Sequence, residues 1–169
     1  AGAGADTIHV SGSVVNSSIT GGNLSDEQGS LFTDDSIYIE RGAIANSTIG
    51  GPGLGDDTIV GFVGAGEVVN GGDGSDTLTL SGTSDDLNNA LDEQLINVEL
   101  VDASAAVAGV SINLANQTEA IDVTGSAQDD DIAGSLGANV INAGAGNDDV
   151  AGLAGDDEIY GEDGNDRLV

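Results

Sequence analysis

The sequence predicts an all-β fold, a parallel β-solenoid of short stacked coils, on three observations. The last 45 residues keep a nine-residue period, 28 glycines stand against one proline (Pro52), and only two Phe and two Tyr, with no Trp or Met, are available for an ordinary globular core. From Gly125 to Val169 the nonapeptides read GSAQDDDIA, GSLGANVIN, AGAGNDDVA, GLAGDDEIY and GEDGNDRLV. Each has a turn signal, an acid or amide at its sixth place and an apolar residue at its eighth: Ile132, Ile141, Val150, Ile159 and Leu168. Repetition in phase at such a period announces stacked units.

The first six places of each repeat suit a turn, because glycine tolerates positive φ and lets backbone approach an ion. The last three suit a short strand whose alternate side chains face opposite ways, so the eighth residue points inward. Two nonapeptides then close one coil of 18 residues. Coils stack about 4.8 Å apart through main-chain hydrogen bonds. Turns 125 to 130, 143 to 148 and 161 to 166 form one ladder, and turns 134 to 139 and 152 to 157 the other.

Charge points to the partner. Thirty acids face only Arg41 and Arg167, for a formal net charge of −28. Such a chain repels nucleic acid and anionic membranes and attracts cations. Composition alone reads as disorder, and the spacing decides against it. Zero cysteines exclude disulfides and thiolate metal sites, and no signal peptide or 18-residue apolar run provides a membrane-crossing helix. Stacking aligns Asp130, Asp148 and Asp166, and like charges one coil apart repel by about 1 to 4 kcal/mol per pair according to local dielectric. A divalent cation resolves the conflict. Calcium suits the gap better than magnesium, since it takes six to eight oxygens in irregular mixtures of carbonyl and carboxylate.

These nonapeptides resemble the haemolysin-type, or RTX, calcium-binding repeats of consensus GGxGxDxUx. GGDGSDTLT (Gly71 to Thr79) and AGAGNDDVA (Ala143 to Ala151) are the closest copies; AGAGADTIH opens the chain, and GPGLGDDTIV holds another. The resemblance covers residues 1 to 9, 52 to 79 and 125 to 169. It implies a right-handed parallel β-roll with calcium in its Gly/Asp-rich turns. Each ion would take the carbonyls of places one and three and the side chain of place five from one turn, and the carbonyls of places two and four and the sixth-place Asp from the turn stacked on it. Carried onto this sequence, the candidate calcium positions are Asp56, Asp57, Gly72, Asp73, Gly74 and Asp76, then Asp129, Asp130 and Asn139. The series continues through Gly144, Ala145, Gly146, Asn147 and Asp148 to Gly155, Asp156 and Asp157, and ends at Asp163, Gly164, Asn165 and Asp166. Weaker sites are expected at turns 125 to 130 and 134 to 139, where Ser126 and Gln128 break the glycine pattern and Asn139 replaces Asp. Asp73 is expected to offer only its carbonyl.

Three regions follow. Residues 1 to 80 repeat the strand signature at Asp6-Thr7-Ile8, Asp35-Ser36-Ile37, Asp57-Thr58-Ile59 and Asp76-Thr77-Leu78, with returning strands at Val14 to Ile19 and Ala43 to Ile49. Enlarged turns are expected at Gly21 to Asp34 and Gly50 to Asp56, and the turns around Gly12 and Gly42 carry no carboxylate, so calcium lines one edge there. Residues 81 to 124 are spacer coils held by ordinary packing. Within them Leu87, Leu91 and Leu95 have helical spacing, and Ser84 to Leu95 is a short helix or a packed loop. INVELVDAS, VSINL and EAIDV read as strands. Residues 125 to 169 are the regular array. Asn16, Asn46 and Asn116 fall in N-x-S/T sequences but suit stacked ladders better than glycosylation, and His9 is a surface residue.

The function expected is a calcium-folded structural or adhesive module of a large bacterial protein of surface-layer, adhesin or exported-toxin type. The family implies a type I export route, an extracellular or cell-surface location, and as partners calcium ions, the rest of a longer repeat-containing chain, and a cell-surface polysaccharide or protein lattice. Neither nucleic-acid binding nor membrane insertion is expected. The alternatives are ice or carbohydrate binding through the column Thr7, Ser36, Thr58 and Thr77, and a polysaccharide-processing β-helix. An enzyme is not expected, because the two Arg are isolated, Lys is absent and the acids are committed to turns.

Overall fold

Short strands that alternate inward apolar and outward polar residues pair in parallel with their counterparts one coil away, as a solenoid requires. The computed structural model describes residues 7–10, 14–15, 18–19, 36–39, 44–45, 48–62 and 68–169. It divides into two compact units, Ala1–Leu78 with Glu93–Val98, and Thr79–Asp92 with Glu99–Val169.

In the first unit, β1 (Thr7–Val10) pairs with β4 (Ser36–Ile39), and β4 with β7 (Thr58–Val60), in parallel. The register sets Ile8 beside Ile37 and Ile37 beside Ile59, the inward position of the predicted signature. The N–H of Thr77, opening β9 (Thr77–Thr79), donates to Asp57 O at 2.8 Å and continues the stack. On the returning side β2 (Val14–Val15) pairs with β5 (Ile44–Ala45), and β3 (Ser18–Ile19), β6 (Thr48–Leu54), β8 (Val68–Asp73) and β10 (Leu95–Ile96) pair in that order. Ile37, Ile49, Ile59, Phe62, Val69, Leu78 and Leu95 are buried. The enlarged turn expected at Gly50 to Asp56 is corrected: β6 runs through Pro52 to Leu54, shifting register between Gly50 and Gly53. A bulge lets the strand absorb the extra residues, and in a parallel ladder proline needs only a position where its missing N–H is not called on. The expected turns around Gly12, Gly42 and Gly21 to Asp34 lie outside the described residues.

In the second unit β11 (Leu100–Asp102), β13 (Asp122–Thr124), β15 (Val140–Asn142) and β17 (Glu158–Tyr160) form one wall. β12 (Ser111–Asn113), β14 (Asp131–Ala133), β16 (Asp149–Ala151) and β18 (Arg167–Leu168) form the other. Between the walls lie Val101, Ile112, Val123, Ile132, Ile141 and Val150, each at most 1 % exposed. Fully burying a side chain of this kind stabilises by about 1.5–3 kcal/mol, so aliphatic rungs do the work that aromatic residues do in larger cores. Leu168 is 46 % exposed, because β18 ends its sheet and has a neighbouring rung on one side only.

The spacer resolves into one helical turn, α1 (Asp85–Asn88), and a 3-10 turn at Asp92–Gln94. Ser84 caps α1, its hydroxyl accepting from Leu87 N–H at 3.2 Å. The helical spacing is realised only in part: Leu87 and Leu95 are buried, whereas α1 stops at Asn88 and leaves Leu91 53 % exposed. The segment covers the outer edge of β12 with side chains. Thr83 Oγ1 accepts from Ser111 N–H at 2.8 Å, and Asn88 Oδ1 accepts from Asn113 N–H at 2.8 Å while its Nδ2 donates to Ser111 O at 3.0 Å. Asp92 accepts from Thr118 N–H at 2.8 Å.

Candidate metal centre

Each turn closes when its sixth-place side chain reaches back one coil. Asp148 Oδ1 accepts from Asp130 N–H at 2.8 Å, Asp166 Oδ1 from Asp148 N–H at 3.1 Å, and Asp157 Oδ1 from Asn139 N–H at 2.9 Å. Asp76 Oδ1 does the same for Asp57 N–H at 2.7 Å. Fifth-place side chains bond in the opposite sense. Asp129 Oδ1 accepts from Asn147 N–H at 2.8 Å, Asn147 Oδ1 from Asn165 N–H at 3.2 Å, and Asp56 Oδ1 from Ser75 N–H at 2.8 Å. Neighbouring coils are therefore stitched by two opposed side-chain ladders, at the 18-residue offset that the period predicts.

Glycine serves two different ends in these turns. At places two and four it supplies positive φ: Gly72 (+115°), Gly74 (+152°), Gly144 (+105°), Gly146 (+142°), Gly155 (+131°) and Gly164 (+151°). Leu153 (+75°) and Glu162 (+63°) hold the same second-place conformation without that freedom. At place one the reason is space, since a Cβ on Gly152 or Gly161 would stand 2.5 or 2.4 Å from the Oδ2 of Asp157 or Asp166.

The sixth-place carboxylates differ in how they are satisfied. Asp130, 4 % exposed, is saturated: Val110 N–H and the Ser126 hydroxyl reach Oδ1 at 2.7 and 2.8 Å, and Ser126 N–H reaches Oδ2 at 2.6 Å. In turn 134 to 139, Asn139 Oδ1 accepts from Ser135 N–H at 3.0 Å, and its Nδ2 donates to Ser135 Oγ at 2.7 Å and Ile121 O at 3.0 Å. A second-place serine thus closes both turns with its own N–H and hydroxyl. Sequence reading noted the broken glycine pattern but missed these serines, whose signal is Ser at place two followed four residues later by Asp or Asn.

Asp148 is the contrast. It is 2 % exposed, and its Oδ2 is buried without a hydrogen-bond partner. Burial, opposed by the bond from Asp130 and reinforced by the charges of Asp130, Asp166 and Asp129, holds its carboxyl above the ordinary range. A buried carboxylate oxygen aimed at nothing is what a hard cation would satisfy. Among the described residues no three His, Cys, Asp or Glu side chains converge as a metal cluster, so a six- to eight-oxygen ion would draw most of its ligands from main-chain carbonyls. Positive-φ glycines stand in turns 71 to 76, 143 to 148, 152 to 157 and 161 to 166.

The other candidates are dispersed. Asp73, Asp156, Asp163 and Asn165 are exposed on the turns, as are Asp56, Asp129 and Asn147, while Asp57, Ala145 and Gly155 flank them. Arg167 pairs with Asp149 at 2.5 Å on an open surface, an interaction of small worth.

Comparison with known proteins agrees with the geometry of the last coils. Residues 124–159 and 144–169 match the family model of the RTX calcium-binding nonapeptide repeat, with 4 copies. No curated protein matches the chain. No helix among the described residues is long and apolar enough to cross a membrane. The nonapeptides at the C-terminal end of this parallel solenoid are similar to the RTX calcium-binding repeat.

Proposed function

We propose that this chain is a calcium-folded structural module of a large exported or cell-surface bacterial protein, and that its task is to stay open where calcium is scarce and stack where calcium is abundant. The observation that carries the reading is the buried Oδ2 of Asp148, without a partner between two coils that bring Asp130 and Asp166 beside it. A cation there would supply the positive charge that the stacked carboxylates lack, in a chain with two Arg and no Lys.

Asp148 and Asp166, with the carbonyls around Gly144, Gly146 and Gly164, are the best fit among the regular coils, and Asp76 with the carbonyls around Gly72 and Gly74 is the comparable set in the first unit. Asp129, Asn147, Asn165, Asp56, Asp57, Asp156 and Asp157 complete the assignment, and Asp130 and Asn139 fit an ion less well because second-place serines already close their turns. Binding that favours the folded form stabilises it by about 2.7 kcal/mol at a hundredfold excess over Kd, which is enough to couple a marginal solenoid to the calcium level outside a cell. Export by a type I route, an extracellular location and attachment to a surface lattice are what the likeness to the calcium-binding repeats implies, and the coupling is consistent with them.

Circular dichroism in chelator and in millimolar calcium tests the reading, with calorimetric titration counting the ions. The expected result is strand signal that grows with calcium. A solenoid spectrum of full intensity in chelator would refute it.

A further inference from the structure

Two turns carry an acid at the third place, directly before the fourth-place glycine: Asp73 with Gly74, and Asp163 with Gly164. Both pairs are exposed. The corresponding third places of the other regular turns are Ala127, Leu136, Ala145 and Ala154, so the turn itself does not need an acid there. In the stack the peptide that joins each pair is gripped by the coil before it. The carbonyl of Asp73 accepts from Gly55 N–H at 3.0 Å, and that of Asp163 from Gly146 N–H at 2.9 Å, while Asp163 N–H donates to Gly144 O at 3.2 Å. Gly74 and Gly164, at φ +152° and +151°, lie so close to the Gly55 and Gly146 carbonyls that a Cβ would overlap them.

We propose that Asp73–Gly74 and Asp163–Gly164 are sites of spontaneous isoaspartate formation, which the stacked coils suppress and the open chain permits. The glycine nitrogen attacks Cγ of the preceding aspartic acid. The N–Cγ bond forms, the Cγ–OH bond breaks, and the amide proton leaves with the hydroxyl as water, giving a five-membered succinimide. Water then opens the ring at the former main-chain carbonyl, and the chain continues through Cβ, with no oxidant or co-reactant needed. Glycine admits the reaction because no Cβ shields its nitrogen. Ring closure must rotate the Asp–Gly peptide plane, and in the stack that rotation breaks the bond from Gly146 or Gly55. The open chain has no such restraint.

The product lengthens the turn by one backbone carbon and converts the third-place carbonyl into a side-chain carboxylate. Such a turn no longer keeps step with its neighbours, so a chain that waits too long without calcium loses the capacity to stack. This inference rests on the calcium-folding reading above.

The test incubates the purified chain at neutral pH and 37 °C, in chelator and in millimolar calcium, after circular dichroism at time zero. Isoaspartate is measured by enzymatic methyl transfer and located by peptide mapping. The expected result is isoaspartate at 73 and 163 in chelator, suppression in calcium, and progressive loss of the strand signal regained when calcium is restored. The double variant D73A/D163A, which places the alanine of neighbouring turns at both positions, is expected to form isoaspartate at neither position and to regain more of its signal after ageing than the wild type; the peptide map reads separately the Asn70–Gly71 pair, which closes the same ring with loss of ammonia in both chains. A chain that opens in chelator yet forms no isoaspartate at these pairs, or forms it equally in calcium, overturns the inference. A chain already fully folded in chelator at time zero refutes the calcium-folding reading instead.

Discussion

Replacing Asp148 by Asn removes a single buried charge and keeps nearly every atom in place. The side-chain oxygen can still accept from Asp130 N–H, now at 2.8 Å, and Asn139 demonstrates that an amide fits a sixth place of this solenoid. Without calcium, the wild-type carboxylate meets Asp130 and Asp166 one coil away, each repulsion worth about 1 to 4 kcal/mol at effective dielectrics between bulk water and a partly buried site. Protonation caps the total: neutralising a carboxyl of ordinary pKa 3.8 at pH 7 costs about 4 kcal/mol. D148N is therefore expected to stabilise the calcium-free fold by about 1 to 3 kcal/mol. It should also lose one strong ligand and bind fewer ions. Urea unfolding followed by circular dichroism, in chelator and along a calcium titration, measures both effects, and the gap between the two conditions should shrink. A variant less structured than wild type in chelator, with an unchanged calcium response, would refute the reasoning.

Acidity should mimic the metal in part. The folded-state pKa of Asp148 is raised by burial, so the folded form holds a proton over a window above pH 3.8 that the unfolded chain has released. Stability contributed through this group rises as pH falls into that window, and thermal melts in chelator from pH 7 downward should show the gain; in calcium the trend should reverse, as protons compete for the ligand. Ser126→Ala removes the hydroxyl bond to buried Asp130, and a loss of about 1–3 kcal/mol is expected in urea melts, similar in chelator and calcium. Gly164→Ala should cost at least about 2 kcal/mol, because its Cβ would overlap Gly146 O at a φ of +151°, whereas Glu162→Gly relieves a left-handed residue and should gain about 0.5–1 kcal/mol. Asn88→Ala strips two bonds from the edge of β12, and hydrogen exchange should accelerate at Asn113 with little effect on the calcium midpoint.

The rungs were legible because their signal is local and repeated. An apolar eighth place every nine residues fixes which side chain points inward, and the resulting 18-residue offset appears in the registers Asp131 with Asp149 and Val140 with Glu158. The strands around Leu100, Ile112 and Val123 are legible from segments that alternate or run apolar. What escaped depends on partners distant in sequence or on competing turn chemistry. Nothing local to Thr83 or Asn88 says that they complete the hydrogen bonds of Ser111 and Asn113, more than twenty residues on. Ser126 and Ser135 look like lapses from a glycine pattern until their hydroxyls are seen to close the turn. The extra residues between the Asp35 and Asp57 signatures suggest an enlarged turn at Gly50 to Asp56, and pairing with β8 draws the first part of that segment into a strand.

The covering of β12 by Thr83 and Asn88 bears on aggregation. A flat parallel sheet of identical rungs is a template for cross-β growth, and its exposed border would recruit strands from other chains. Here the N-terminal border of the β12 wall offers a recruit no row of vacant main-chain groups, since Ser111 and Asn113 are already bonded to side chains that cannot propagate a ladder. Thr83 and Asn88 therefore cap that border, and a strand from another chain would have to displace both before it could pair with β12.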